Sequence, residues 1–341
     1  MGVKQLRNKM LFTPTRTLRS ASSVPSPVKG EGITLMAQRD CEWICQFRRT
    51  RMIPFRALSR NACLMHNVGM TTLKLACIQA NTGNDLAANL ATVTAMVREA
   101  AGSGAKFILT PEYTLMMDGS GRVMREQALP ADGGAPLAQL RALAKELGIW
   151  LLIGSLTLRT EEERIANRSF LINDGGEIAA SYDKIHMFDC TLPDGKVIRE
   201  SSAYRPGGKA VVAETPWGKL GMTICYDLRF PALFRTLAQA GAQMITVPSS
   251  FQRQTGSAHW HPLLQARAIE NGCYIVAPAM CGEHAGNRQT YGHSLVVNPW
   301  GEVVADGGEA AGITYAEIDV KRVAKTRAMI PSLTHDRAYS A

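Results

Sequence analysis

Long apolar runs are missing from this 341-residue chain. No stretch approaches the roughly 20 apolar residues that a bilayer-spanning helix needs, so no membrane span is expected. Cys-x-x-Cys is also missing, and the eight cysteines do not amount to a disulfide framework in a chain this long. Such usage suits a reducing compartment, and a cytoplasmic location is expected. Cys77 and Cys273 lie in apolar, strand-like runs and read as small core residues; Cys190 and Cys281 lie near loops. The histidines do not fall at zinc-binding spacing. His259 and His261 stand two apart with no carboxylate or thiol beside them in sequence, so no metal site is expected.

Acidic residues are scarce in one region only. Residues 1–70 hold 12 Lys and Arg against 3 Asp and Glu, whereas residues 71–341 hold 26 of each. The whole net charge of +9 therefore belongs to the leader. The remainder has no net charge that would call for nucleic acid or an anionic membrane. The leader is rich in Arg and Ser and punctuated by Pro14, Pro25, Pro27 and Pro54. Three readings fit residues 1–69: a transit peptide, a disordered basic tail that touches anionic partners, or a stretch upstream of a true start at Met65 or Met70. Residues 70–341 read as a single domain.

From Leu73 onward, apolar strand patterns alternate with amphipathic helix patterns. Strands are expected at Leu73–Gln79, Lys106–Thr110, Trp150–Leu156, Ser169–Ile172, Glu177–Ser181, Met222–Ile224, Met244–Val247 and Tyr274–Ala277. Helices are expected at Asp85–Ala101, Ala135–Leu147, Ala232–Ala240 and Trp260–Asn271. Asn173–Asp174–Gly175–Gly176 reads as a hairpin turn, and a second hairpin joins Leu295–Val297 to Val303–Ala305 across Asn298–Pro299–Trp300–Gly301. Strands separated by helices predict sheets covered by helices. Hairpins among crossovers predict mixed sheets.

Three chemically capable residues end strand-like runs: Glu112 after Thr110–Pro111, Lys184 after Tyr182–Asp183, and Cys225 before Tyr226–Asp227–Leu228–Arg229–Phe230–Pro231. Pro231 suits the first turn of a helix, which puts Cys225 at a strand-to-helix turn that exposes a side chain beside backbone N–H groups. A thiol is a poor nucleophile and its thiolate a good one. A neighbouring ammonium, a helix N-terminus and a carboxylate that takes the proton together supply the activation.

Thr110–Pro111–Glu112–Tyr113, Tyr182–Asp183–Lys184–Ile185–His186 and Cys225–Tyr226–Asp227–Leu228–Arg229–Phe230–Pro231 resemble the three signatures of the nitrilase superfamily of carbon–nitrogen hydrolases. The resemblance runs from about Leu73 to Tyr339. Thr255–Gly256–Ser257–Ala258–His259–Trp260, Tyr291–Gly292–His293–Ser294 and Asn298–Pro299–Trp300–Gly301 are similar to the Nit branch, which contains deaminated-glutathione amidase and omega-amidase.

The resemblance implies an α/β fold, a four-layer α-β-β-α sandwich, and a cofactor-independent amidase working as a homodimer or higher homo-oligomer. It implies cleavage of the terminal amide of a small carboxylate-bearing 2-oxo amide, to acid and ammonia, through a cysteine thioester. Glu112 would be the general base, Lys184 the oxyanion partner and Cys225 the nucleophile. The Tyr226 N–H would be a second oxyanion donor, and Glu200 would contact the lysine. Arg229, on the first helical turn after Cys225, would take the substrate acid, with Phe251 and Thr255 in a loop over the pocket and Arg253 a further choice there. Deaminated glutathione is preferred as substrate because Cys281–Gly282–Glu283–His284 precedes Tyr291–Gly292–His293–Ser294. Omega-amidase action on 2-oxoglutaramate, N-carbamoyl hydrolysis and a catalytically silent binding protein are the alternatives. A true nitrilase is disfavoured by Tyr226–Asp227 where those relatives carry Trp-Glu.

A segment with this charge, four prolines and few grouped apolar residues buries too little surface to offset its ordering entropy. A chain beginning at Met70 is therefore expected to match the full chain in activity and melting temperature. Limited proteolysis of the full chain should trim it quickly to near Met70 and stop. Resistance before residue 60 would show that the leader packs on the core.

Overall fold

The computed structural model describes residues 72–340; the leader lies outside them, and so does every expectation about it. The first half runs β1 (Thr72–Gln79), α1 (Leu86–Gly102), β2 (Phe107–Leu109), α2 (Gly121–Glu126), α3 (Gly134–Leu147) and β3 (Trp150–Leu158). It continues through β4 (Ala166–Ile172), β5 (Ile178–Asp183) and a small hairpin, β6 (Asp189–Thr191) with β7 (Val197–Arg199). The second half begins with β8 (Val211–Thr215), β9 (Gly218–Met222), α4 (Pro231–Gln239), β10 (Met244–Thr246), α5 (Arg253–Asn271) and β11 (Tyr274–Ala277). A second hairpin follows, β12 (Cys281–His284) with β13 (Arg288–Tyr291), then β14 (Leu295–Val297), β15 (Val303–Asp306), β16 (Gly312–Asp319) and α6 (Lys321–Met329). Among the described residues no helix is long and apolar enough to cross a membrane.

Two six-stranded sheets form, ordered β16-β1-β2-β3-β4-β5 and β15-β14-β11-β10-β9-β8. Each combines a parallel centre with antiparallel edges, as β1, β2 and β3 run parallel and β9, β10 and β11 run parallel. The two-residue period of a strand sorts side chains between the layers. On β1, Leu73, Leu75 and Cys77 join the core shared with the second sheet, while Ala76 and Ile78 join the core beneath α1 and α3. Phe107 and Leu109 face one way on β2 and Ile108 the other. Val93, Val97 and Ala100 line one face of α1, whose Asp85 cap accepts from the Ala88 N–H at 3.0 Å. Leu237 and Phe234 of α4 and Trp260 and Leu264 of α5 pack on the second sheet. The layers are thus helix, sheet, sheet, helix, and both expected hairpins form, β4–β5 and β14–β15.

Two helix expectations need correction. Helix α5 begins at Arg253, seven residues before Trp260, so Arg253 and Thr255 belong to its first turns and not to a loop. Gly256 and Pro262 look like breakers in sequence. Yet a Cβ on Gly256 would sit 2.5 Å from Tyr291 Cβ, so this glycine serves close packing of the helix on β13. Cys225–Arg229 form a separate 3-10 turn ahead of α4, which opens with Pro231 at its N-terminus.

Gly154 is the glycine on which the site most depends. It sits at a register shift in β3, where the chain carrying Glu112 crosses. A Cβ there would lie 2.1 Å from the Thr110 carbonyl oxygen, and the Gly154 N–H donates to Thr110 Oγ1 at 2.9 Å. Gly154→Ala should push the Thr110–Tyr113 segment away. We expect a loss of about 1–3 kcal/mol or more in denaturant unfolding, as overpacking costs elsewhere, with a fall in activity larger than the fraction unfolded explains. Wild-type values for both would show that the segment yields without moving Glu112.

Candidate active site

Glu112, Lys184 and Cys225 follow the C-terminal ends of β2, β5 and β9, and the fold brings the three together. Each end is shaped locally. Cys225 adopts a left-handed backbone with φ of 49°, and its N–H donates to the Pro248 carbonyl at 3.0 Å. Tyr113, directly after Glu112, has φ of 58°, and its N–H is held by Ser155 Oγ at 2.8 Å. Left-handed conformations cost a non-glycine residue energy and collect at functional sites. Lys184 is tied through its N–H to the Asn167 carbonyl at 2.9 Å.

The side chains form one buried cluster. Lys184 Nζ donates to Glu112 Oε1 at 2.9 Å and to both oxygens of Glu200 at 2.9 Å. Glu112 Oε1 also accepts from Asn167 Nδ2 at 2.9 Å, and its Oε2 accepts from the Ser250 N–H at 2.9 Å and Ser250 Oγ at 2.8 Å. Glu200 accepts further from the Tyr113 hydroxyl at 3.0 Å and the Phe188 N–H at 2.5 Å. Glu112 and Lys184 are only 1% and 2% exposed, so neither is solvated and each depends on these partners.

Ionisation follows from this geometry. Burial works to raise the Glu112 carboxyl, but the Lys184 charge and the hydrogen bonds from Lys184, Cys225 and Ser250 overcome it and hold the group below the ordinary carboxylate range. Burial likewise works against the Lys184 ammonium, and Glu112 and Glu200 more than restore it. Burial, and then the Glu112 carboxylate, push the Cys225 thiol up against the pull of Lys184. The resting site is therefore a carboxylate, an ammonium and a neutral thiol, with the carboxylate placed to receive the thiol proton.

Asp227 joins the nucleophile turn to the lysine strand. It is fully buried. Its Oδ2 accepts from the Tyr182 hydroxyl at 2.7 Å and the Ile224 N–H at 2.9 Å. Its Oδ1 accepts from the His186 N–H at 3.1 Å and lies 2.7 Å from His186 Nδ1. The His186 ring stacks on Phe230 with centroids 3.5 Å apart. Tyr182, Lys184 and His186 thus act together: the outer two lock onto Asp227 while the middle one reaches the cluster.

A cavity of about 290 Å³ opens onto Glu112, Lys184 and Cys225. Glu200, Tyr226, Phe251 and Thr255 line it, and so do Tyr113, Phe188, Ser250 and Arg288. No acceptor among the described residues takes the Tyr226 N–H. Arg229 is not in the cavity wall. Its guanidinium lies over the Phe251 ring at 5.2 Å and the Tyr226 ring at 6.0 Å and contacts His259 Nδ1 at 3.3 Å. The 3-10 turn explains the difference. Cys225 begins this turn with a left-handed backbone and the turn is 3-10, so the α-helical spacing that would set Arg229 on the face of Cys225 does not apply.

Asn167, Ser250 and Arg288 escaped the sequence reading. Ser250 had a usable signal, since sites collect beyond the C-terminal ends of parallel strands and Pro248–Ser249–Ser250 follows β10. Asn167 and Arg288 lie in strands that are far from the three signatures in sequence and had none. The fold also supplies a carboxylate that sequence proximity hid. Asp306 lies 2.9 Å from His261 Nε2 and 2.8 Å from His293 Nδ1, a group whose donor atoms all fall within 4.8 Å. Hydrogen bonds account for this trio, and none of the three lines the cavity.

Comparison with known proteins places this arrangement. The carbon–nitrogen hydrolase family profile matches residues 74–328. The chain is 38% identical over 277 residues, covering 80% of it and 96% of the relative, to a Yersinia enterocolitica protein named deaminated glutathione amidase. It is similar to the Caenorhabditis elegans NitFhit protein, with a TM-score of 0.74 and 36% identity across 79% of this chain and 66% of that one. It is also similar to an amidase from Nesterenkonia sp., captured with acrylamide added to its active-site cysteine, with a TM-score of 0.64 and 27% identity across 76% of this chain and 98% of that one. The match extends over most of the described chain and takes in all three strand-end residues, so the chain belongs to the carbon–nitrogen hydrolase family.

Proposed function

We propose that this amidase hydrolyses the amide of deaminated glutathione through a thioester on Cys225. The observation that carries the reading is the convergence of a neutral thiol, an ionised carboxylate and a buried ammonium on one cavity. The choice of substrate is supported by the name of the Yersinia relative. Cys225 Sγ attacks the amide carbon as its proton passes to Glu112. The carbonyl oxygen becomes an oxyanion between Lys184 Nζ and the Tyr226 N–H, each a donor of the kind worth roughly 10²–10³ in rate. Glu112 then returns the proton to the amide nitrogen, the C–N bond breaks and the thioester remains. A primary amide releases ammonia at this step, whereas deaminated glutathione releases its dipeptide as the free amine. Water, deprotonated by Glu112, attacks the thioester and releases the acid and the thiol.

Glu200 positions Lys184 and offsets its charge. Phe251 and Thr255 shape the cavity wall. A homodimer or higher homo-oligomer belongs to the same proposal. Ile269 on α5 is 56% exposed, and Met329 and Ile330 at the end of α6 are 63% and 55% exposed, which supports an apolar face for self-association.

Cys225→Ala should fold and lose turnover, and Cys225→Ser should be nearly as damaging because a hydroxyl is far harder to ionise. Glu112→Gln and Lys184→Ala should each lower kcat at least about 100-fold, and intact-mass spectrometry of a slow variant should show the acyl group on Cys225. An active Cys225→Ala protein ends the proposal.

Ionisation makes a separate prediction. The Glu112 carboxyl falls from 4.5 to about 2 on folding. A lowered folded value contributes stability that is complete above the unfolded value and is lost as pH falls toward the folded one. The melting temperature of wild type relative to Glu112→Gln should therefore be flat above about pH 5.5 and should shrink as pH falls from 4.5 toward about 2. A pH-independent difference would mean that Glu112 is not held ionised by its neighbours.

A further inference from the structure

Arg288 is the one cavity-lining cation that is partly buried and that the reaction above leaves unused among the described residues; Lys196 and Arg199, also in the wall, are exposed. It opens β13, just after a turn in which Asn287 has φ of 55°. The hairpin carrying it is fixed. His284 Nδ1 lies 2.9 Å from the Thr82 carbonyl and its Nε2 2.7 Å from Thr290 Oγ1. The hairpin tip sits against Gly119, where a Cβ would come within 2.7 Å of the Gly286 carbonyl oxygen. Arg288 Nη2 donates to the Ser250 carbonyl and to Ser250 Oγ, both at 2.9 Å. Its Nε is buried with no partner among the described residues. Its Nη1 has none there either, and no carboxylate pairs with it.

A guanidinium with this much donor capacity left over is matched by a carboxylate. The site's own charges add a reason. Glu112, Glu200 and Lys184 sum formally to one negative charge, which repels an anionic substrate unless a cation offsets it. Position then selects the end of the substrate. Ser250, which Arg288 grips, donates twice to Glu112 Oε2, and Glu112 is the group that protonates the departing nitrogen. Arg288 therefore flanks the leaving-group side.

Resting on the functional reading above, we propose that Arg288 is a specificity-determining residue that binds a carboxylate on the amine portion of the substrate, the C-terminal carboxylate of the departing dipeptide. The hairpin of β12 and β13 is the element that delivers it. This gives a physical meaning to the segment from Cys281 to Tyr291, which in sequence only marked a subgroup.

Kinetics of the full chain on three amides test this: deaminated glutathione, its C-terminal carboxamide, and 2-oxoglutaramate, which has no leaving dipeptide. Wild type should prefer deaminated glutathione to the capped form by at least about tenfold in kcat/KM, expressed mainly in KM. Arg288→Met should abolish that preference, and Arg288→Lys should restore part of it. Equal losses on all three amides would show that Arg288 only supports Glu112 through Ser250, and a wild type indifferent to capping would show that no carboxylate is read there; either overturns the proposal. Should wild type leave deaminated glutathione uncleaved, the functional reading fails by itself. Arg288 is then judged by calorimetry on Cys225→Ala protein with cysteinylglycine and cysteinylglycinamide. Discrimination that Arg288→Met removes sustains the proposal, and equal binding of the two overturns it.

Discussion

A lysine ammonium buried between two carboxylates is the interaction on which the rest of the site depends. Taking Lys184, Glu112 and Glu200 out of water is costly, and breaking one partner away from such a group typically costs about 3–5 kcal/mol. The cluster persists because every member is multiply satisfied. Lys184 Nζ meets both acids, Glu112 has Asn167 and Ser250, and Glu200 has Tyr113 and Phe188. These partners come from both sheets and from the loops between them, so the site is assembled only when the whole sandwich is. The arrangement also sets the chemistry. Its partners hold the Glu112 carboxyl below the ordinary carboxylate range, while burial pushes the Cys225 thiol up.

Asp227 performs the corresponding task for geometry. One buried carboxylate receives groups from both the strand that ends in Lys184 and the turn that begins with Cys225. Rigid placement of the thiol relative to the ammonium follows from that shared anchor, and positioning of this kind is a large part of catalytic advantage. The left-handed backbones at Tyr113 and Cys225 and the close approach at Gly154 show the same principle. Backbone strain is tolerated where surrounding contacts over-determine the conformation.

The proposed reaction divides the cavity beyond the cluster between the two ends of a substrate. In the proposed reaction Lys184 and the Tyr226 N–H would meet the carbonyl and Glu112 the nitrogen; Arg288 is joined to Glu112 through Ser250. The aromatic wall of Phe251 is backed by Arg229. Arg288 in the wall, with the more exposed Lys196 and Arg199 beside it, sets positive charge around a cluster that is formally negative.

Much of this was legible in the chain. The short apolar runs at Leu73–Gln79 and Lys106–Thr110 marked strands, and the Asn173–Gly176 turn marked a hairpin, because such signals are local. Glu112, Lys184 and Cys225 were readable because each sits inside a local signature at a strand end. Helix α5 was started seven residues too late; the approach of Tyr291 explains the glycine at 256 inside it. Arg229 was expected to face the cavity; it lies over Phe251 and Tyr226, two residues of the wall, after a 3-10 turn that sequence spacing does not reveal. Asn167, Ser250 and Arg288 reach the cluster from 55, 138 and 176 residues beyond Glu112, and Asp306 reaches His261 across 45. The sequence by itself determined the reactive groups and the alternating layers, since both are written in local pattern. Which donors satisfy those groups, which proton rests where, and which arginine faces the cavity were decided only by the tertiary structure, because they depend on through-space distances between segments that carry no record of one another.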